Sequence, residues 1–288
     1  MKKLSLIPFA FLFLLLVAMK DDKPAYKIYD GAGNDVGYAK MLESAKRADI
    51  VLFGEFHDNY ICHWLEAELM KDMHKNNDST LVLGAEMFEN DNQEIMDEYM
   101  KGDFKESVFK ESCRLWPNYA TDYQPLVEFA KANHIPFLAT NVPRRYASMV
   151  SAKGFEYLIK NTSPEAKKWM APLPIPYDSN LKCYKDMLSM GDASHGGPNL
   201  PKAQALKDAT MAYHILESMD KKHPKQLLHF NGAYHSNNYE GIYWYLKTGY
   251  HHLSLKIVTI STSQQPDINT LDSAAHKTAD YIICVPGD

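Results

Sequence analysis

Val51-Leu-Phe-Gly-Glu-Phe-His-Asp58 reads as a short buried strand over 50–53 that stops at Gly54 and hands the chain to a helix beginning near Asn59. Glu55, His57 and Asp58 are thereby presented at the carboxyl end of a strand, the edge where open α/β sheets bind ligands. The pattern returns far downstream in Leu227-Leu-His-Phe-Asn-Gly-Ala-Tyr-His235, again an apolar run, then Gly232, then a histidine three residues on. Gly-x-x-His therefore occurs twice. Each glycine, without a Cβ, is expected to let the chain turn sharply off its strand.

Outward from this stretch, Ile61, Leu65, Leu69 and Met73 recur four apart, which predicts a helix over 60–76 with one stripe on the sheet. Further strands are expected at 80–83, 135–139, 226–230, 254–260 and 281–285, with a short edge strand at 25–30 and an edge-like position for the last. Helices are expected at 41–48, 92–101, 103–113, 123–133, 201–220 and 239–246, with Asp122 as an N-cap and Pro143 opening one more at its first position. Strands alternating with helices predict an α/β fold, a mainly parallel sheet flanked by helices on both faces. Residues 161–200, rich in Pro, Gly and Lys, read as a partly helical insertion over the carboxyl edge, a candidate lid on a single domain spanning 21–288.

With 288 residues, 45% hydrophobic and 23% charged, the chain can bury one large core. Lys2 and Lys3 precede an apolar run at 4–18, too short for a membrane span of about 20 residues, so 1–20 reads as a secretory signal peptide. Without Lys2 and Lys3 the net charge moves from −5 to 29 − 36 = −7, and no basic stripe is present, which excludes nucleic acid as a partner. No cysteine follows the apolar run within the first 30 residues, so the lipid anchor of a bacterial lipoprotein is not expected and the protein reads as periplasmic or loosely envelope-associated. Cys62, Cys113, Cys183 and Cys284 lack the paired spacing of a zinc knuckle or a thioredoxin-type site, and Cys62 and Cys284 read as buried free thiols, although export makes one disulfide possible.

Four strands end on polar residues: Glu55 and His57, Glu86, Asn141 and Arg144, Asn231 and His235. Neighbouring parallel strands lie about 4.8 Å apart, so these groups can meet in one crevice. Two imidazoles, His57 and His235, with Glu55 and Glu86 make a shell suited to Mn, Co or Zn that activates water; alternatively, Glu55 or Glu86 acts as a general base without metal, with Arg144 and Asn141 beside it. His63, six residues after His57, either faces the site from the first helical turn or is solvated; Asp208 lies mid-helix. A His-Glu-x-x-His helix, a Gly-x-Ser-x-Gly elbow and a phosphate-binding glycine loop are absent from the sequence, which sets aside the zincin, α/β-hydrolase and P-loop chemistries.

At these residues the chain resembles ChaN-type haem-binding proteins. The likeness rests on Gly54-Glu-Phe-His-Asp58 followed by His63, Glu86-Met-Phe88, Tyr123-Gln-Pro-Leu-Val-Glu-Phe-Ala130, Ala139-Thr-Asn-Val-Pro-Arg144, Asp208-Ala-Thr-Met-Ala212 and Asn231-Gly-Ala-Tyr-His235, six motifs in order across about 48–260. The Tiki metalloproteases and erythromycin-esterase-like enzymes of the wider superfamily are similar at the Gly-x-x-His and glutamate positions. The resemblance implies an exported protein of iron uptake that binds haem through a tyrosine at a homodimer interface, with an outer-membrane haem receptor system as partner. His63, Asp208 and Asn231 are candidates for a layer around the first ligands, and the resemblance does not say which of the 18 tyrosines binds iron. A metal-dependent hydrolase of esters, amides or peptides is the other reading of the same edge.

Overall fold

Ile50 and Leu52 alternate with Val51 and Phe53 along one strand, and all four are fully buried in two separate apolar clusters, so this strand needs cover on both faces. The computed structural model describes residues 23–75, 81–190, 197–222, 226–252 and 254–287; the expected signal peptide and the His195 part of the insertion lie outside them. The strands are β1 (Lys27–Asp30), β2 (Ile50–Glu55), β3 (Leu81–Glu89), β4 (Phe137–Asn141), β5 (Gln226–Gly232), β6 (Ile257–Gln265) and β7 (Tyr281–Pro286). They form one seven-stranded sheet in the order β1-β7-β6-β2-β5-β3-β4, parallel except where β1 pairs with β7.

Helices α1 (Gly37–Ala45), α2 (Tyr60–His74), α3 (Gln93–Lys101), α4 (Glu106–Ser112) and α5 (Gln124–Ala132) place Met41, Leu65, Leu69, Met96, Phe109 and Leu126 against Val51 and Phe53. On the other face α6 (Arg144–Asn161), α7 (Lys182–Met190), α8 (Leu200–Lys222) and the single turn α9 (Ile242–Trp244) place Val150, Tyr184, Leu206, Ile215 and Ile242 against Ile50 and Leu52. Among the described residues no helix is long and apolar enough to cross a membrane. All four cysteines are buried free thiols.

Several expected boundaries shift. β7 is an inner strand, because β1 adds to its far side and becomes the edge. β3 does not stop at Gly84: it runs to Glu89, with a bulge against β4 after Ala85, so Glu86 is a residue of the strand itself. Pro143 precedes the first residue of α6, and the expected helix at 239–246 is a chain of short turns. Asp122 is no cap; it is buried in a π-helical turn, Tyr119–Tyr123, that leads into α5.

Both outer edges of the sheet are occupied. Gln93 pairs with the free edge of β4 as a strand would, its Nε2 donating to the Phe137 carbonyl (3.0 Å) and its Oε1 accepting from the Ala139 amide (2.6 Å). Asn90 takes the Ala139 carbonyl at 2.8 Å. At the opposite edge the Val36 amide donates to the Ile28 carbonyl at 2.9 Å, and Asp35 bridges Tyr29.

Candidate functional site

The two Gly-x-x-His strands are immediate neighbours, β2 beside β5, with Gly54 opposite Asn231 and Glu55 opposite Gly232. β3 flanks β5 on its far side and brings Glu86 to the same level, one residue past the Ala85–Phe230 pair. The glycines serve close approach rather than a turn. A Cβ on Gly54 would lie 2.9 Å from the Ala233 Cα, and one on Gly232 would lie 2.6 Å from His57 Nε2. Gly241 does need its freedom: it has φ +54°, and a Cβ there would lie 2.3 Å from the His235 carbonyl oxygen.

Glu55 is the centre of the first cluster. Its Oε1 accepts from Tyr123 Oη (2.8 Å) and lies 2.6 Å from His57 Nδ1, while its Oε2 lies 3.2 Å from His63 Nδ1. His63 Nδ1 is also 3.2 Å from Glu66 Oε2, and its Nε2 donates to the His57 carbonyl at 3.3 Å. Asn59 caps α2 by accepting the Ile61 and Cys62 amides, which fixes where the helix starts and so where His63 falls. Asn118 holds the His57 carbonyl at 2.9 Å and Asp122 at 2.7 Å. Burial pushes the Glu55 carboxyl up, but hydrogen bonds from His57 and His63 outweigh it and hold it at about 2. Burial lowers the His63 pKa, yet Glu55 and Glu66 carry it to about 11. For His57 the same contest ends above the ordinary imidazole value.

The second cluster is built on His235. Its Nε2 is 3.0 Å from Glu86 Oε1, its Nδ1 contacts Asp208 Oδ1, and Tyr184 donates to Asp208 Oδ2 at 2.8 Å. Glu86 Oε2 accepts the Gly232 amide at 2.8 Å. Burial disfavours charge on the ring, but Glu86 and Asp208 outweigh it and raise the His235 pKa to about 9. The Glu86 carboxyl, itself raised by burial, is held well below the usual range by His235. Tyr184 belongs to α7, so the expected insertion reaches this edge and anchors Asp208.

The structure thus brings together Glu55, His57, His63, Glu86, His235 and Asp208. His63 is buried, which decides between its two readings, and His235 is buried as well. Asn141 donates to the Glu86 carbonyl at 3.0 Å, and its buried Oδ1 has no partner among the described residues. Asn231 ties the end of β5 to Gly232 and Ser236 without touching a glutamate or histidine of either cluster. Arg144 is exposed at the start of α6, and among the described residues has no ion pair; its neighbour Arg145 takes Asp91 at 2.6 Å. Tyr123, Tyr184 and Glu66 went unassigned in the sequence. Glu66 carried a local signal, an acid one helical turn after His63, and Tyr123 opened one of the six motifs without a role given to it.

Among the described residues, the expected metal pair His57 and His235 does not fall within one close-set group of three ligand atoms. Both nitrogens of His235 already face carboxylates, and His57 Nδ1 faces Glu55. Among the described residues, three ligand atoms come within 4.8 Å of one another only in Glu55, His63 and Glu66. A separate cleft of about 500 Å³, lined by Pro172, Pro174, Pro176, Tyr213 and Tyr250, shares no residue with either cluster.

A family model described as haem-binding uptake, Tiki superfamily, ChaN, matches residues 41–246. The structure resembles that of Campylobacter jejuni ChaN, solved with cofacially bound haem, at a TM-score of 0.69 and 19% identity, covering 91% of this chain and 97% of that one. Protein RETICULATA-RELATED 5, chloroplastic, of Arabidopsis thaliana is 25% identical over 223 residues, 69% of this chain; the match spans 30% of that protein's length.

Proposed function

We propose, from the premise that this chain belongs to the ChaN family of haem-binding uptake proteins in the Tiki superfamily, that it binds ferric haem with Tyr60 as the iron ligand. The observation that carries this reading is the aromatic surface at the start of α2. Tyr60 is 79% exposed, Trp64 one turn along the helix is 51% exposed, and the Tyr26 ring lies 5.8 Å from that of Trp64. An iron-ligating tyrosine needs an accessible phenol, and other tyrosines here have theirs committed: Tyr123 to Glu55, Tyr184 to Asp208, Tyr245 to the Pro176 carbonyl and Tyr29 to the Ile268 carbonyl. Phenolate is a hard donor suited to Fe(III), and flat apolar rings suit a porphyrin face.

One such surface covers one face of a porphyrin. A second copy supplies the other cover, so the reading includes a haem-linked homodimer with an isologous interface. It also includes export to the periplasm and a role in iron uptake alongside an outer-membrane haem receptor system. Titration with ferric haem tests it: wild type and Tyr157→Phe should give a saturable phenolate-type spectrum, and Tyr60→Phe should lose it. A wild type that shows only the broad band of free haem overturns haem binding; a Tyr60→Phe spectrum equal to wild type overturns the ligand assignment.

A second reading, hydrolysis of an ester, amide or peptide, is favoured by the Glu55–His57 pair. A buried carboxylate orients a ring whose side chain is 41% exposed, the arrangement of a general base and its orienter. Glu86 Oε2 and His57 Nε2 both border Gly232, Asn141 holds the Glu86 carbonyl at 3.0 Å, and Arg144 is exposed at the start of α6. The expected Mn, Co or Zn on His57 and His235 is tested by metal analysis of wild type beside His57→Ala and His235→Ala. Turnover of a panel of aryl esters, lost in His57→Ala with the melting temperature retained, is the expected result for the hydrolase; equal rates in both proteins exclude it.

A further inference from the structure

We infer that Glu55, His63 and Glu66 form a buried site for one divalent first-row metal ion, behind the His57 edge and separate from any haem surface. The inference does not rest on the haem reading. It starts from the tautomer of His63. Its Nε2 lies 3.3 Å from the His57 carbonyl, which can only accept, so Nε2 carries the proton. Asp122 Oδ2, 3.6 Å from the same nitrogen, holds the ring in that sense. With Nε2 turned to that carbonyl, Nδ1 is the ring atom that faces Glu55 Oε2 and Glu66 Oε2, each 3.2 Å away. A lone pair between two buried carboxylates is repulsive unless a proton or a cation lies among them.

A proton on Nδ1, which the raised His63 pKa records, still leaves acceptor oxygens of the group unused. Glu55 Oε2 and Glu66 Oε1 are both buried and have no hydrogen-bond donor, although both residues are at most 1% exposed. Among the described residues no lysine or arginine pairs with Glu55, Glu66 or Asp122; their ion pairs are all with His57 or His63. A metal ion supplies the missing charge and uses the free oxygens. The spacing suits it: with metal–ligand bonds of about 2.1 Å, tetrahedral ligand atoms stand about 3.4 Å apart, close to the two 3.2 Å separations here. A ligating histidine that donates its other N–H to a backbone carbonyl is the usual supporting arrangement, and one imidazole with two carboxylates favours Zn or Mn. Glu55 would then face both ways, Oε2 to the ion and Oε1 to His57 Nδ1, so the ion would position the half-exposed His57 ring.

The test is metal analysis of the full chain after separate loading with Zn and Mn and exhaustive dialysis, with thermal melts of the same samples. Wild type should retain about one equivalent and melt higher with metal than after chelation. Glu66→Gln, nearly isosteric, and His63→Ala should each fall below about 0.1 equivalent, while the double variant His57→Ala/His235→Ala should keep its ion. Wild type that retains no metal and melts identically with and without chelator overturns the site. Equal retention in Glu66→Gln, or loss confined to the double variant, overturns it too, by placing the ion elsewhere. If a variant fails to fold, the Co(II)-loaded wild type still decides: a visible absorption band of a four-coordinate N/O site is expected, and the spectrum of hexaaquo Co(II) counts against the proposal.

Discussion

Glu86 and His235 join two neighbouring strands through one carboxylate: Oε1 stands 3.0 Å from the His235 ring, and Oε2 accepts the Gly232 amide at 2.8 Å. Asp208 holds the other ring nitrogen, so the imidazolium is paired at both ends inside the protein.

Because the folded His235 pKa is raised to about 9 from 6.5, its stabilising contribution is complete below pH 6.5 and is lost as pH rises through 9. Denaturant titrations at pH 6 and pH 9.5 should therefore differ by about 3 kcal/mol from this group, and His235→Gln should flatten that difference. A slope unchanged in the variant would show that His235 does not set it.

Glu55 gives the opposite sign. Its carboxyl is depressed from 4.5 to about 2, so its contribution is present above pH 4.5 and disappears as pH falls through 2. Glu55→Gln should cost about 3 kcal/mol at pH 7, since it leaves His57, His63 and Tyr123 facing a neutral amide. Urea melts at pH 7 and pH 3 should show the gap between variant and wild type narrowing at the lower pH.

The strands were legible because their signals are local. The apolar runs at 50–53 and 226–230 and the helix after Asn59 follow from burial and capping, and both Gly-x-x-His motifs stand at one edge as their spacing indicated. What could not be read was pairing across the chain. Tyr123 meets Glu55 over 68 positions and Tyr184 meets Asp208 over 24, and an aromatic residue in an apolar stripe gives no sign of where its hydroxyl goes. Glu86 was placed past a strand end because Gly84 looked like a terminator; with no Cβ it instead lets the His229 ring pack 3.0 Å from where a Cβ would stand, and β3 continues.

Gly232→Ala tests how that packing serves the site. Its backbone is ordinary, φ −56° and ψ 138°, so strain is not at issue; the new methyl presses on the movable edge of the His57 ring and touches Glu86 Oε2 at 3.5 Å. Stability should fall by about 1 kcal/mol, while the His57 pKa, now raised, should drop towards the ordinary imidazole value as its bond to Glu55 breaks. NMR titration of the ring reads both states.

Trp64→Ala separates stacking from ligation at the haem surface. Haem affinity should weaken about tenfold with the phenolate-type spectrum unchanged, because the ring contributes area and not a bond to iron. Loss of the spectral signature in this variant would move the ligand away from Tyr60.

The amide of Gln93 on β4 and the Val36 amide on β1 have a consequence for how copies of this chain can meet. Neither margin offers a free run of donors and acceptors, so two molecules cannot add strand to strand into one continuous ribbon. Any pairing has to be made side chain to side chain. Contacts of that kind are separable, and a dimer held mainly by the flat ligand between its halves would come apart when the ligand leaves.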